Sequence, residues 1–148
     1  MAQIELSVVV PVYNEVGNLV TLHQDIVEVL EAVGRSYEVL FIDDGSTDDS
    51  LEILQSLQMG NPCVRVIEFR KNFGQTAAIA AGLRYSNGAV VITLDADRQN
   101  DPRDIPLLLS EIDKGMDLVC GWRHQRRDGL WLRLLPSRMA NSLISMTT

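Results

Sequence analysis

Strand-like runs and amphipathic stretches alternate along the chain. The strand-like runs lie at 6–10, 37–42, 64–69 and 90–94, and the mostly continuous apolar character of these runs is typical of strands covered on both faces. Between them, apolar residues recur at three- and four-residue steps, which predicts crossover helices. The first stripe of this kind consists of Leu19, Leu22, Ile26, Val29, Leu30 and Val33. The alternation predicts an α/β fold with a mostly parallel sheet and helices on both faces.

The later elements follow the same order. A third helix is predicted at about 74–85, and its many alanines would let it pack closely on the sheet. Pro102 precedes an apolar stripe that predicts a fourth helix, ended by Gly115. Residues 117–121 are predicted to form a last short strand.

Polar side chains follow three of the predicted strands. Asp95 and Asp97 come directly after the strand at 90–94, Asp43 and Asp44 follow the strand at 37–42, and the strand at 6–10 leads into Pro11-Val12-Tyr13-Asn14-Glu15. Because open parallel sheets bind ligands at the carboxyl ends of their strands, we expect these acids at one ligand-binding edge. Hard oxygen ligands suit Mg²⁺ or Mn²⁺, which can bridge to the phosphates of a nucleotide. A single Asp-x-Asp could equally open an ordinary loop.

Three segments together resemble the motifs of the inverting glycosyltransferase family 2, which has the GT-A fold. They are Pro11-Val12-Tyr13-Asn14-Glu15, Asp43-Asp44-Gly45-Ser46-Thr47-Asp48 and Asp95-Ala96-Asp97. The stretches 70–75 and 95–102 are similar to the subgroup that moves a sugar from a nucleotide donor onto a polyprenyl phosphate, which includes dolichyl-phosphate mannose synthase and bacterial undecaprenyl-phosphate glycosyltransferases. Arg98 departs from that subgroup, where Leu is common at this position.

The resemblance implies a Rossmann-like three-layer α/β/α sandwich formed by residues 1–148 as a single domain, the N-terminal catalytic part of a longer protein. It also implies roles for individual side chains. Asp95, Asp97 and Gln99 would be the metal ligands, with Asp95 shared with the donor. The nucleotide-sugar would contact Pro11, Tyr13, Glu15, Asp43, Asp95, Lys71 and Gln75, whereas Asp44 is expected to fix its own turn through Gly45 and Ser46. Arg123 and Arg138 would bind the phosphate of the acceptor and are counted with Asp95 and Asp97 as catalytic.

The charge is unevenly distributed. The whole chain has a formal net charge of −7, yet residues 123–148 hold five arginines and one acidic residue, Asp128, among many apolar side chains. This mixture is typical of a segment on an anionic membrane surface, although an ordinary amphipathic helix has the same pattern. The acidic chain disfavours nucleic acid as a partner. Neither a Gly-x-Gly-x-x-Gly motif nor a Walker lysine is present, which disfavours dinucleotide oxidoreductases and P-loop NTPases.

The expected function is therefore inverting, metal-dependent transfer of a sugar from a UDP- or GDP-sugar to a polyprenyl phosphate, a step of cell envelope biosynthesis. The expected location is the cytoplasmic face of the membrane, where the full-length protein would be peripheral or anchored. A phosphate acceptor is already ionised near neutral pH, so arginines rather than a general base are expected on the acceptor side. Two alternatives remain open, a family 2 enzyme with a carbohydrate hydroxyl acceptor and a nucleotide-sugar-binding domain without turnover.

Overall fold

A computed structural model describes residues 4–121 of the chain. Its four strands are β1 (Leu6–Val12), β2 (Tyr37–Asp43), β3 (Val64–Glu68) and β4 (Val90–Thr93). Its four α-helices are α1 (Leu19–Val33), α2 (Ser50–Gly60), α3 (Gln75–Tyr85) and α4 (Ile105–Ile112), and a 3₁₀ turn at Pro102–Asp104 precedes α4. The strands are all parallel, in the order β3-β2-β1-β4. The alternating pattern predicted from the sequence is confirmed for these elements.

One predicted element is absent. Residues 117–121 form neither helix nor strand in the described part of the chain, so the predicted last strand is wrong there. A short apolar run becomes a strand only when a neighbouring strand pairs with it, and no such partner is present among the described residues. The first compact unit of the fold ends at Asp117.

Apolar residues cover both faces of the sheet, with a large cluster on the side of α1 and α4 and a small one on the side of α3. On one face, alternate residues of β1 pack with the inward stripe of α1 and with the buried Ile105 and Leu109 of α4. On the other face, Val9, Leu40 and Ile42 pack with Ala78 of α3. A Cβ added at Gly82 of α3 would collide with the Val9 side chain, so this helix does lie close to the sheet, as its small residues predicted.

Pro11 marks the place where β1 and β4 separate. The backbone N–H of Leu94 donates to the Val9 carbonyl at 3.1 Å, which is the last bond of this ladder. The next position of β1 that faces β4 is Pro11, which has no N–H to donate. On the other side, β1 stays paired with β2 as far as Val12 and Asp43. The chain after β4 is therefore free to turn away, and a cleft opens at this end of the sheet.

A buried carboxylate network joins the strands near their amino ends. The side chain of Glu38 is 2% exposed and accepts hydrogen bonds from Ser7 Oγ at 2.7 Å, the Asn87 backbone N–H at 2.6 Å and an Arg65 guanidinium nitrogen at 2.7 Å. Ser7 Oγ in turn accepts from the Gly88 backbone N–H at 2.8 Å. Burial alone would raise the pKa of Glu38, but the bonds from Ser7, Arg65 and Asn87 outweigh it and hold that pKa below its ordinary value.

We expect Glu38→Gln to lower the free energy of unfolding at neutral pH by about 1–3 kcal/mol, because charge-assisted hydrogen bonds to a buried group are lost. A folded-state pKa below the unfolded one stabilises the protein above the ordinary glutamate pKa of about 4.3, and this stabilisation is lost as pH falls through the folded-state value. The difference between wild type and variant should therefore shrink in acid. Chemical denaturation at several pH values measures it, with exposed Glu28→Gln of α1 as the control; a difference that does not change with pH would contradict the network.

Candidate functional site

A cleft of about 350 Å³ lies at the carboxyl ends of β1, β2 and β4 and the start of α3. Six of the side chains predicted to bind donor or metal line it, namely Pro11, Tyr13, Glu15, Gln75, Asp95 and Asp97. The other lining residues are Val12, Asp44, Asn72, Gly74 and Ala96. Segments that are up to 86 positions apart in the sequence, from Pro11 to Asp97, thus meet at one edge of the sheet.

The remaining predicted residues lie elsewhere. Asp43 is buried at the end of β2, where it pairs in register with the lining residue Val12, and Gln99 is exposed in the loop after Asp95 and Asp97. The Lys71 ammonium lies 5.1 Å from the centre of the Phe73 ring, a cation–π distance. Arg123 and Arg138 lie outside the described residues.

The two acids of the Asp-x-Asp motif have different surroundings. Asp95 is partly buried, and its Oδ1 accepts from Gln75 Nε2 at 2.7 Å while its Oδ2 accepts from Asn100 Nδ2 at 3.3 Å. Asp97 is exposed, and its Oδ1 accepts from the Gln99 backbone N–H at 3.0 Å. Amide donors hold both carboxylates without neutralising their charge.

Arg98 is directed to α1. Its backbone has a φ of 59°, which turns the chain immediately after Asp97, and its guanidinium forms an ion pair with Asp25 at 2.8 Å. The positive charge at this position, which distinguishes the chain from the resembling subgroup, is therefore already paired with a carboxylate on α1.

The lining of the cleft is acidic. It contains four carboxylates, those of Glu15, Asp44, Asp95 and Asp97, and no lysine or arginine among the described residues. The described part also contains no cluster of three His, Cys, Asp or Glu side chains able to enclose a metal ion. Two adjacent carboxylates are nevertheless a suitable donor set for Mg²⁺ or Mn²⁺, because Mg²⁺ is usually held by one or two carboxylates and completes its shell with water and substrate phosphates. The residues present fit such an ion.

Asp43 and Asp44 have roles that the sequence did not predict. Asp43 Oδ2 accepts from the Ser46 backbone N–H at 3.2 Å, so Asp43, and not Asp44, closes this turn. The prediction for Asp44 is wrong, because its two oxygens accept instead from the backbone N–H groups of Phe73 at 2.7 Å and Gly74 at 2.8 Å. Asp43 Oδ1 is buried and has no hydrogen-bond partner within the described residues.

The loops after β1 and β2 are joined by reciprocal hydrogen bonds. Asn14, with a φ of 57°, accepts from the Thr47 backbone N–H at 2.7 Å and donates its own N–H to Ser46 Oγ at 3.0 Å. Ser50 Oγ accepts from the Glu15 N–H at 2.9 Å. Sequence reasoning did not single out Asn14; the signal was the tolerance of asparagine for the left-handed region combined with a short polar side chain.

The comparisons with known proteins agree with this architecture. Residues 7–148 match the family model described as glycosyl transferase family 2, so the chain belongs to that family. The chain is 40% identical over 147 residues to a dodecaprenyl-phosphate galacturonate synthase of Rhizobium johnstonii. This alignment covers 98% of the chain but 44% of the relative, so the chain spans less than half of that protein.

Two solved structures are similar in fold. The mannosyltransferase PcManGT from Pyrobaculum calidifontis, in complex with GDP-Man and Mn²⁺, has a TM-score of 0.59 and 25% identity over 70% of this chain and 30% of its own. Glucosyl-3-phosphoglycerate synthase from Mycobacterium tuberculosis, in complex with Mn²⁺, UDP and phosphoglyceric acid, has a TM-score of 0.58 and 25% identity over 73% of this chain and 38% of its own. The predicted GT-A fold is thereby confirmed.

Gly45 permits the close approach of two loops at this site. Its φ is 69°, and an added Cβ would lie 2.7 Å from the Asn72 backbone nitrogen. Gly34, at the end of α1, has a similar φ of 72° but open space around it. The two glycines therefore share a backbone conformation and differ in their surroundings.

We expect Gly45→Ala to lower the free energy of unfolding by about 2–5 kcal/mol, because a left-handed backbone costs about 1–2 kcal/mol and an overpacked contact about 1–3 kcal/mol. The matched control Gly34→Ala should lose only the first part. Denaturant titration of both variants measures the difference, and equal losses would contradict the close approach of the loops.

Proposed function

We propose that this chain binds a nucleotide-diphosphate sugar together with a divalent cation and forms the donor half of an inverting glycosyltransferase with a polyprenyl phosphate acceptor. The observation that carries the proposal is the acidic lining of the cleft. A diphosphate is repelled by four carboxylates unless a cation lies between them, and no basic side chain of the described residues lines the cleft. A site of this charge therefore suits a diphosphate only as its Mg²⁺ or Mn²⁺ complex.

The base and ribose would lie against the β1 end of the cleft. Tyr13 is 46% exposed there and offers an aromatic face, with Pro11 and Glu15 in the same lining. Asp43 pairs in register with Val12 of this lining, and its buried Oδ1 has no hydrogen-bond partner among the described residues, so this oxygen needs a donor. Uracil and guanine each carry a ring N–H that can donate to such an oxygen, so UDP and GDP are both compatible with it. The two similar solved structures contain UDP and GDP-Man.

Asp97 is the first candidate for the metal ligand, since it is exposed and faces the cleft. Asp95 would share its carboxylate between the metal and the donor, and the Gln99 side chain is the third candidate ligand. Bound there, the ion supplies positive charge to the leaving diphosphate. The Lys71 ammonium lies over the Phe73 ring and Lys71 does not line the cleft, which makes it the weakest candidate for contact with the nucleotide-sugar.

On the acceptor side, a phosphate oxygen forms the new bond to the anomeric carbon as the bond from that carbon to the diphosphate breaks, which inverts the configuration. The phosphate is already ionised, so no side chain has to remove a proton. Arg123 and Arg138 are proposed to hold it, because a guanidinium can bond two phosphate oxygens at once. The polyprenyl acceptor is supported by the 40% identity to a dodecaprenyl-phosphate galacturonate synthase.

An enzyme whose acceptor is a polyprenyl phosphate has to act at a membrane surface, where this lipid is located. Between residues 4 and 121 no helix is both long and apolar enough to cross a bilayer. We propose that the full-length protein acts at the cytoplasmic face of the membrane and that the arginine-rich stretch 123–148 contributes to this association.

The first test removes the proposed metal ligand. Asp97→Ala should abolish the Mn²⁺-dependent part of UDP or GDP binding and lower transfer by about 100-fold or more, because the ion contributes several kcal/mol to stabilising the leaving group. Calorimetric titrations with Mn²⁺ and with EDTA measure the metal-dependent part. The control Asp43→Asn should weaken binding under both conditions. Unchanged Mn²⁺-dependent binding in Asp97→Ala would refute the assignment.

The second test addresses the acceptor. Arg123→Ala and Arg138→Ala should leave nucleotide affinity nearly unchanged and reduce transfer to a polyprenyl phosphate by about 10- to 150-fold, the loss of one charge-assisted contact. Lysine at either position should restore only part of the activity, since an ammonium lacks the bidentate geometry. Arg84→Ala, an exposed arginine of α3, is the matched control. Wild-type transfer by both variants would place the acceptor site elsewhere.

A further inference from the structure

The orientation of Asp95 depends on a residue of another element. Gln75 is the first residue of α3, and its Nε2 donates to Asp95 Oδ1 at 2.7 Å across the cleft. A glutamine that donates to a metal-site carboxylate fixes its rotamer and leaves its full negative charge available to a cation. An arginine or lysine in the same place would cancel that charge.

The position of Gln75 depends in turn on Asp44. The carboxylate of Asp44 is 3% exposed and accepts from two successive backbone N–H groups, those of Phe73 and Gly74, which immediately precede Gln75. Gly74, the residue before α3, has no side-chain cap of its own. Asp44, which directly follows β2, thus supplies negative charge at the amino end of α3, where such charge is favourable.

Asp44 is itself firmly placed. Its backbone N–H donates to the Val12 carbonyl at 2.8 Å, which extends the β1–β2 pairing by one bond. Next to it, Gly45 contacts the backbone of Lys71 and Asn72, which belong to the same loop before α3. A displacement of this loop would therefore have to break contacts at both residues.

We propose that Asp44 and Gln75 are positioning residues that hold the Asp95 carboxylate in the orientation needed by the cation and the diphosphate. The path runs from Asp44 through the backbone of Phe73 and Gly74 to the Gln75 amide and then to Asp95. This inference rests on the proposed function for its purpose, but the path itself is a property of the chain without ligand. This role differs from the sequence-based expectation that Gln75 contacts the nucleotide-sugar directly.

The path is tested first without metal, by ¹⁵N NMR of the Gln75 side-chain amide. The resonance of this amide is assigned as the one that disappears in Gln75→Ala. Asp95→Ala and Asp44→Asn should both move this resonance toward that of a solvated glutamine. The control Glu38→Gln alters an equally buried carboxylate that also accepts a backbone N–H, but at the opposite end of the strands, and should not move it. An unmoved resonance in Asp44→Asn and Asp95→Ala would overturn the proposal.

The consequence for the site is tested by calorimetric titration of UDP and of GDP with Mn²⁺ and with EDTA. Gln75→Ala changes an exposed side chain and should lower the Mn²⁺-dependent affinity by about 10- to 100-fold, the usual effect of losing a partner of a metal-site carboxylate. Binding without metal should be unchanged. Gln75→Glu keeps the length but places a second carboxylate against Asp95, so it should be at least as damaging.

The double variant Asp44→Asn/Gln75→Ala should bind no more weakly than the weaker single variant, because both act through one path. Fully additive losses, or a loss in Gln75→Ala that is equal with Mn²⁺ and with EDTA, would overturn the proposal and make Gln75 a direct donor contact. If the wild-type chain bound neither nucleotide with Mn²⁺, the proposed function would fail, and the NMR result alone would decide the positioning path.

Discussion

Hydrogen bonds from the backbone of neighbouring loops to the side chains that follow β2 are the interaction on which the cleft depends. Where parallel strands end, loop N–H groups lose their ladder partners and need other acceptors. Ser46 and Ser50 accept from the loop after β1, while Asp44 accepts from the loop before α3. The segment that follows β2 therefore fixes the loop after β1 on one side and the loop before α3 on the other.

Carboxylates that accept backbone N–H groups also contribute to the charge of the site. Asp44 and Asp97 are acceptors of this kind and are two of the four acids that line the cleft. The two basic residues nearest to the cleft in sequence are occupied elsewhere, Lys71 against the Phe73 ring and Arg98 with Asp25. An acidic cleft is an unsuitable place for a bare diphosphate and a suitable one for its metal complex. Asp44 and Asp97 thus serve both the folding of the loops and the acidic character that a metal complex requires.

Periodicity predicts the strands and helices, and the direction of parallel strands predicts that polar side chains meet at one edge of the sheet. The resemblance to the family adds the individual donor and metal contacts, and six of the side chains named in this way line the cleft. The sequence could not distinguish Asp43 from Asp44, because either of two adjacent aspartates before Gly-Ser fits the same turn. Only the tertiary structure places the backbone of Phe73 and Gly74 against Asp44. The predicted strand at 117–121 failed for a related reason, because pairing depends on a partner that local sequence does not encode.

One buried acid, Glu38, lies near the amino end of β2 and another, Asp44, lies just past its carboxyl end, and these two acids have separable consequences. Glu38, near the amino end, accepts from Ser7, Arg65 and Asn87, which all lie at the end of the sheet opposite the cleft. The Asp44 carboxylate accepts, among the described residues, from the backbone of the loop that immediately precedes Gln75. Loss of either acid leaves buried donors without a partner and costs stability. Of these two acids, only Asp44 supports a side chain that contacts Asp95, so stability and ligand affinity should change together when Asp44 is lost, whereas the loss of Glu38 should change stability alone.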